Sequence, residues 1–167
     1  RYCYTNLAKG IECNDLNIGS DGARDCYVDP NSTAIDPTGT SSKPYKTIGE
    51  ALECLNQPEC KRVVVNLAEG EYPFVYISSE KDIEIRPAET EHQSDYIVHG
   101  IKAYGSRLFI TSITIENKTD EYDVALHTST ASITSCMFGE GKSVAHLNAY
   151  NSQVTTFYLL TKTNNNL

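Results

Sequence analysis

The 167-residue sequence predicts an all-β fold, a short parallel β-helix of about four rungs, with an N-terminal cap that holds one amphipathic α-helix and disulfide-bearing loops. Three observations predict it. Apolar anchors return at a coil-like period after residue 74, one helix signal falls at residues 45–56, and every cysteine except Cys136 lies at or before Cys60. The first gives the rungs, the second the lid and the third the staples. The chain divides accordingly into a cap, 1–62, and rungs, 63–167, within one domain.

From Arg1 to Cys26 the chain has little periodicity and few apolar residues, so Cys3, Cys13 and Cys26 read as staples for an irregular segment. Tyr27–Leu55 then reads as a strand, a turn-rich loop and a helix. Asp29-Pro30-Asn31 and Asp36-Pro37-Thr38-Gly39 carry the residue types that set turn dihedrals. Thr47 followed by Glu50 is a capping-box pattern, and Ile48, Ala51, Leu52 and Leu55 share one helical face that must be buried. Cys54 and Cys60 bracket Leu-Asn-Gln-Pro-Glu where the helix ends, so a local Cys54–Cys60 bridge is expected, while the 15 connectivities that six cysteines allow otherwise stay open. Cys136 either pairs with an N-terminal cysteine or stays a small core residue.

Tyr27-Val28-Asp29-Pro30-Asn31, then Asp36-Pro37-Thr38-Gly39-Thr40, then Lys43-Pro44-Tyr45-Lys46-Thr47-Ile48 and Ala51-Leu52 resemble the opening of secreted pectin-lyase-like right-handed parallel β-helices. The resemblance covers about a third of the chain. It implies a right-handed coil with strand, loop and helix as the cap. Val63-Val64-Val65-Asn66-Leu67, ahead of Glu69-Gly70-Glu71-Tyr72, is then the strand that enters the coil. It implies no single activity, because the superfamily spans polysaccharide lyases, glycoside hydrolases, adhesins and non-catalytic modules.

Behind the cap, Ile110-Thr111-Ser112, Ile133-Thr134-Ser135 and Val154-Thr155-Thr156 align at spacings of 23 and 21, with Ile83-Glu84-Ile85 a looser copy 27 residues earlier. Tyr76, Ala103, Leu126 and Leu147 precede the anchors, and Ala88, Ile115, Phe138 and Leu159 follow them, as expected for short strands divided by turns. Tyr104-Gly105-Ser106 and Tyr150-Asn151-Ser152 read as two such turns. Glu84, Thr111, Thr134 and Thr155 form an expected outward row, read first as a solvated β-surface and otherwise as a flat face for ice or glycan.

The formal charge, 14 − 22 = −8 with no Lys/Arg run, opposes nucleic acid or an anionic membrane as principal partner. No apolar run is long enough to span a bilayer. The even cysteine count without paired CxxC spacing suits disulfides, and therefore a secreted or extracellular location. The sequons Asn31-Ser32-Thr33 and Asn117-Lys118-Thr119 point the same way and make covalent N-glycans expected partners.

Catalysis of the kind the resemblance implies uses clustered carboxylates, often with calcium, and a basic group across a groove. Arg86, Lys102 and Arg107 occupy different repeat positions with no recurring aspartate pair, so no catalytic residue is assigned. Glu80, Asp82 and Glu84, and Asp120, Glu121 and Asp123, supply paired acids by count and read as solvated surface. Calcium at these acids, or at the loop acids Asp21, Asp25, Asp29 and Asp36, is the one cofactor expectation, and the loop acids read first as turn formers. His92, His99, His127 and His146 lack metal-site spacing. Among the eleven tyrosines, Tyr104, Tyr150 and Tyr158 are the candidates for stacking on sugars.

Val154-Thr155-Thr156-Phe157-Tyr158-Leu159-Leu160 is apolar and strand-prone, with no cap signature after it, so Val154, Phe157, Tyr158, Leu159 and Leu160 form a candidate assembly edge. The leading expectation is a non-catalytic structural or interaction module that pairs with another chain or with itself end to end, up to head-to-tail fibres. A carbohydrate-active enzyme or its fragment is the alternative, and a glycan-binding module the third.

Overall fold

A computed structural model describes residues 18–89, 92–119, 121–140 and 145–161 in full, and the backbone alone at 2–6 and 10–14. β1 (Tyr2–Asn6) and β2 (Gly10–Asn14) form an antiparallel hairpin that sets Cys3 opposite Cys13. This replaces the irregular segment expected there. A two-stranded ribbon is held by backbone pairing and leaves little apolar period to read.

β3 (Ala23–Val28) opens the coil, and the α-helix α1 (Ile48–Leu52) follows, continued by a 3₁₀ turn over Glu53–Asn56. The α-helical part is shorter than the expected 45–56 for a local reason. Tyr45 is held as a bridge partner of Val28, so the helix starts only after Thr47. There the capping box forms: Glu50 N–H donates to Thr47 Oγ1 (3.2 Å) and Thr47 N–H to Glu50 Oε2 (2.9 Å). At the other end the Lys81 ammonium donates to the Leu55 and Gln57 carbonyls, both at 2.6 Å, satisfying acceptors that the helix leaves open. Ile48, Ala51, Cys54 and Leu55 are buried and Leu52 is half-buried, so the expected apolar face is the one that packs on the coil.

The coil proper runs through β4 (Arg62–Leu67), β5 (Gly70–Tyr72), β6 (Val75–Ser78), β7 (Asp82–Pro87), β8 (Tyr96–Val98) and β9 (Ile101–Tyr104). It continues through β10 (Arg107–Thr111), β11 (Thr114–Ile115), β12 (Val124–His127), β13 (Thr130–Thr134), β14 (Met137–Phe138), β15 (Leu147–Tyr150), β16 (Gln153–Phe157) and β17 (Leu160–Thr161). Three parallel sheets result, ordered β16-β13-β10-β7-β4-β3, β17-β14-β11-β8-β5 and β15-β12-β9-β6. The chain is thus a parallel β-solenoid of about four turns.

Two inward rows of the six-stranded sheet form one wall of the core, which inward residues of the other two sheets and α1 complete. Val63, Ile83, Leu108 and Ala131 stack in one, and Cys26, Val65, Ile85, Ile110 and Ile133 in the other, all buried. Burying a Val or Ile side chain is worth roughly 1.5–3 kcal/mol, and within each row apolar residues stack on one another, with Arg24 below Val63 and Thr156 above Ile133 at the row ends. The register corrects the alignment read from sequence at both ends. Ile110 pairs with Ile133 as expected, but Ile85 rather than Ile83 lies beneath Ile110, and Thr156 rather than Val154 lies above Ile133. The outward threonine row is therefore only Thr111 and Thr134, with Phe157 next.

At the cap end, the exposed edge of β3 is covered by the following loop. Tyr27 N–H donates to Gly39 O (2.8 Å), Tyr45 N–H to Tyr27 O (2.9 Å) and Asp29 N–H to Tyr45 O (2.9 Å). Gly39 is required, since its φ is +74° and a Cβ would lie 2.3 Å from the Tyr45 ring.

The corner between the four-stranded and six-stranded sheets carries a serine ladder. Ser106 N–H donates to Ser129 Oγ (3.1 Å) and Ser129 N–H to Ser152 Oγ (3.0 Å), each serine one rung of 23 residues from the last. Ser79 N–H donates likewise to Ser106 Oγ (3.2 Å). Each hydroxyl in turn donates to a carbonyl of its own rung, at Tyr104, His127 or Tyr150. Ser129→Ala leaves the buried Ser106 amide without its acceptor, and the expected loss of stability is about 1–3 kcal/mol. Urea unfolding followed by far-UV circular dichroism, with an unchanged m-value, checks this.

Candidate functional site

In the last rung the repeat loses its filling. β15, β16 and β17 each end their sheet, so among the described residues each is paired on one edge only. Leu147, Val154 and Leu159 point inward yet are only half-buried, whereas Val124, Ala131 and Cys136 one rung below are enclosed. Ala149, Thr156 and Thr161 stand above Leu126, Ile133 and Phe138, so the interior thins toward this end. Phe157 (53% exposed), Tyr158 (84%) and Leu160 (55%) lie on the outside. No residue from 145 to 161 is Asp, Glu, Lys or Arg. The candidate edge residues thus fall into an inward pair, Val154 and Leu159, and an outward trio.

Tyr104 and Tyr150 occupy one outward row with His127 between them. The Tyr104 and His127 rings are stacked at 4.8 Å between centroids and 12° between planes, and His127 and Tyr150 lie 6.1 Å apart at 46°. The Lys102 ammonium sits 5.9 Å from the Tyr104 centroid. Sugar stacking needs an open ring face, and here Tyr104 spends one face on His127. Tyr150 keeps its side away from His127 open, and Tyr158 stands apart at a corner with φ +51°. The third turn of the series, His127-Thr128-Ser129, was legible as a serine recurring at 23 residues, but its unlike first residue hid it.

Beside this row lies a cavity of about 470 Å³ walled by Phe74 and Tyr76, whose rings are 4.8 Å apart, with His99, Lys118 and Thr119 on its rim. His99 Nε2 meets Glu71 Oε2 at 2.9 Å, and Nδ1 meets the Glu116 carbonyl at 3.1 Å. Both ring nitrogens therefore face oxygen. Lys118 Nζ reaches the same Glu71 oxygen at 3.0 Å, and the hydrogen bond to His99, followed by that to Lys118, holds the Glu71 carboxyl below its usual range.

Acids that look alike in sequence have separate fates. Asp82 pairs with Arg107 (2.6 Å) and Glu84 with Arg62, both across rungs, and Glu84 also with Arg86 along its own strand, so these carboxylates are engaged by arginines rather than with one another. Asp123, expected in a solvated turn, is fully buried. It accepts the Asn117 N–H at 2.7 Å and faces His146 Nδ1 at 2.6 Å, and the His146 ring stacks on Phe138 at 4.9 Å. Of the loop acids, Asp21 accepts the Ala23 N–H and Asp29 the Asn31 N–H, which are turn roles. Among the described residues no three His, Cys, Asp or Glu side chains converge on a point that would hold a metal ion.

The cysteines with described side chains, Cys26, Cys54, Cys60 and Cys136, are buried thiols. Cys60 Sγ is directed at the Arg62 carbonyl (3.5 Å), and the mutual influence of the neighbouring Cys54 and Cys60 thiols holds Cys54 below and Cys60 above the usual thiol range, with the Arg24 guanidinium adding to the lowering. Burial raises Cys26 and Cys136 to about 11 each. Arg24 is itself buried beneath the cap loop, donating to the Thr38 carbonyl (3.0 Å) and the Tyr45 hydroxyl (2.8 Å), and it lines a cavity of about 830 Å³ with Tyr45 and Cys54. Cys136 follows β13, four strands along the six-stranded sheet from Cys26 in β3, its thiol directed at the Ile110 and Thr134 carbonyls.

The two sequons differ. Asn31 is exposed in the cap loop. Asn117 is 1% exposed, its Nδ2 donates to Tyr122 O (2.8 Å), and its Oδ1 accepts from the Thr119 N–H and hydroxyl.

Comparison of the chain with protein-family models, curated proteins and solved structures finds no match.

Two outcomes follow from these contacts. Asp123→Ala removes a buried acceptor shared by Asn117 and His146 and costs about 3 kcal/mol of stability in a denaturant titration, with Asp123→Asn losing less. In a glycosylating host, glycan is found on Asn31 and not on folded Asn117, which peptide mass mapping after enzymatic deglycosylation checks.

Proposed function

We propose that the chain is a secreted, non-catalytic interaction module that docks another polypeptide on its last rung. One observation carries the reading: an edge of three parallel strands, half-filled inside and with Tyr150, Phe157, Tyr158 and Leu160 exposed outside, has no Asp, Glu, Lys or Arg in a chain with 14 basic and 22 acidic residues. Sheet edges that stay solvated are usually guarded by charge, proline, bulges or a covering segment. The N-terminal edge has such a cover in the segment from Gly39 to Tyr45. Growth into head-to-tail fibres therefore requires the last rung to seat on that segment, whereas docking of a different chain does not. The expected N-glycan on Asn31 lies in the same cap loop, away from the last rung. Oxidation of the Cys54 and Cys60 thiols to a bridge would fix the helix over the first turns, and a bridge between the facing Cys3 and Cys13 would close the hairpin.

A second reading, glycan binding, draws support from the Phe74 and Tyr76 rings at the 470 Å³ cavity and from the exposed Tyr150 and Tyr158. The catalytic alternative draws less, because the paired acids are held by arginines and both nitrogens of His99 are engaged.

Native mass spectrometry and negative-stain electron microscopy of material from its natural source test the docking role, with assemblies expected. Tyr158→Lys with Leu160→Lys disperses them to monomers while moving stability by less than about 0.5 kcal/mol, since both sites are exposed. Monomers alone at every concentration, together with release of new reducing or unsaturated ends from a polysaccharide panel, would sink the proposal.

A further inference from the structure

We infer that the occupant of the last rung is a polypeptide coil running parallel to β15, β16 and β17 that brings a hydroxyl side chain to the corner above Ser152; this rests on the docking role proposed above. The rungs have a polarity that specifies what comes next. At the serine corner, each N–H points toward the C-terminal end of the coil and finds the hydroxyl of the following rung, through Ser79, Ser106 and Ser129 in turn. One residue earlier, Gly105 N–H donates to His127 O and Thr128 N–H to Tyr150 O, both at 3.0 Å. At the next corner, Ser112 N–H donates to Thr134 O (3.0 Å) and Ser135 N–H to Phe157 O (2.8 Å).

These donors are aimed by left-handed backbone, with φ +58° at Gly105 and +48° at Thr128, and +54° at Ser112 and +51° at Ser135. The last rung keeps that conformation, with φ +50° at Asn151 and +51° at Tyr158, although a left-handed tyrosine is sterically unfavourable. Ser152 also keeps its hydroxyl bond to the carbonyl two residues back. The N–H groups of Asn151, Ser152 and Tyr158 consequently point where their counterparts point, and none has an acceptor among the described residues.

A parallel coil supplies what is missing in the order required: a carbonyl over Asn151, a hydroxyl over Ser152, a carbonyl over Tyr158, and apolar side chains over Leu147, Val154 and Leu159. Two copies meeting through their last rungs would run antiparallel, and their corner donors would face donors. A sugar chain offers hydroxyls but nothing to cover the three apolar residues.

Amide hydrogen exchange by NMR on the full chain tests this, alone and with a synthetic peptide of residues 123–138, which repeats the rung that receives the Ser106 amide. In the chain alone, Thr128, Ser129 and Ser135 serve as protected controls at the same corners, and Asn151, Ser152 and Tyr158 exchange at least about 100-fold faster. The peptide slows the three last-rung amides about tenfold or more, and a peptide carrying Ser129→Ala loses about fivefold of that protection at Ser152. Last-rung amides as slow as the controls in the chain alone mean an edge already covered, which overturns both this inference and the docking role. Equal protection by both peptides overturns the parallel hydroxyl match and leaves docking standing. Slowing by neither peptide overturns the inference.

Discussion

A strand in a parallel ladder directs its backbone N–H and C=O groups at neighbours on both sides, so a rung is satisfied only when another lies above and below it. The coil depends on this constraint. Stacking Val63, Ile83, Leu108 and Ala131, or Val65, Ile85, Ile110 and Ile133, follows once the backbones are in register, because equivalent side chains are then forced into contact. The two ends meet the same demand differently. At β3 the chain folds its own loop across the edge; at β15, β16 and β17 the described residues offer no such cover.

The corners convert that constraint into direction. A residue with positive φ turns the chain and aims its N–H at the next rung, and the serine after it provides the hydroxyl that receives the amide from the rung before. The polar corner is thus satisfied from within, alongside a core that is almost wholly apolar. Asp123 does comparable work at the long connection after β11. Its buried carboxylate ties Asn117 and His146 together, which places the second sequon's asparagine inside the fold. Acid–arginine pairs such as Asp82 with Arg107 and histidine–carboxylate pairs such as His146 with Asp123 each join neighbouring rungs.

Much of the coil was legible in the chain. Thr47 with Glu50 marked the start of the helix, its apolar face was read correctly, and Ile110 with Ile133 gave the true period. The neighbouring registers were misread by two residues because a shift of two keeps inward residues inward, so hydrophobic alternation cannot detect it. That slip joined Thr155 to a threonine row in which Phe157 in fact stands. The site was less legible than the fold. Phe157, Tyr158 and Leu160 stood out as an apolar run, but the donors at Asn151, Ser152 and Tyr158 are defined by backbone angle and by the rungs beneath, neither of which residue type encodes.

The sequence alone determined a β-coil with a helical cap, an apolar last rung without charge, and a cysteine set biased toward the first 60 residues, since these depend on composition and local periodicity. Tertiary structure decided which residues oppose one another: Cys3 with Cys13, Tyr104 with His127, Asp123 with His146, and the serines in their ladder. The physical reason is that parallel rungs are joined by connections of variable length. Composition sets which faces are buried, whereas only the closed ladder of hydrogen bonds fixes the register.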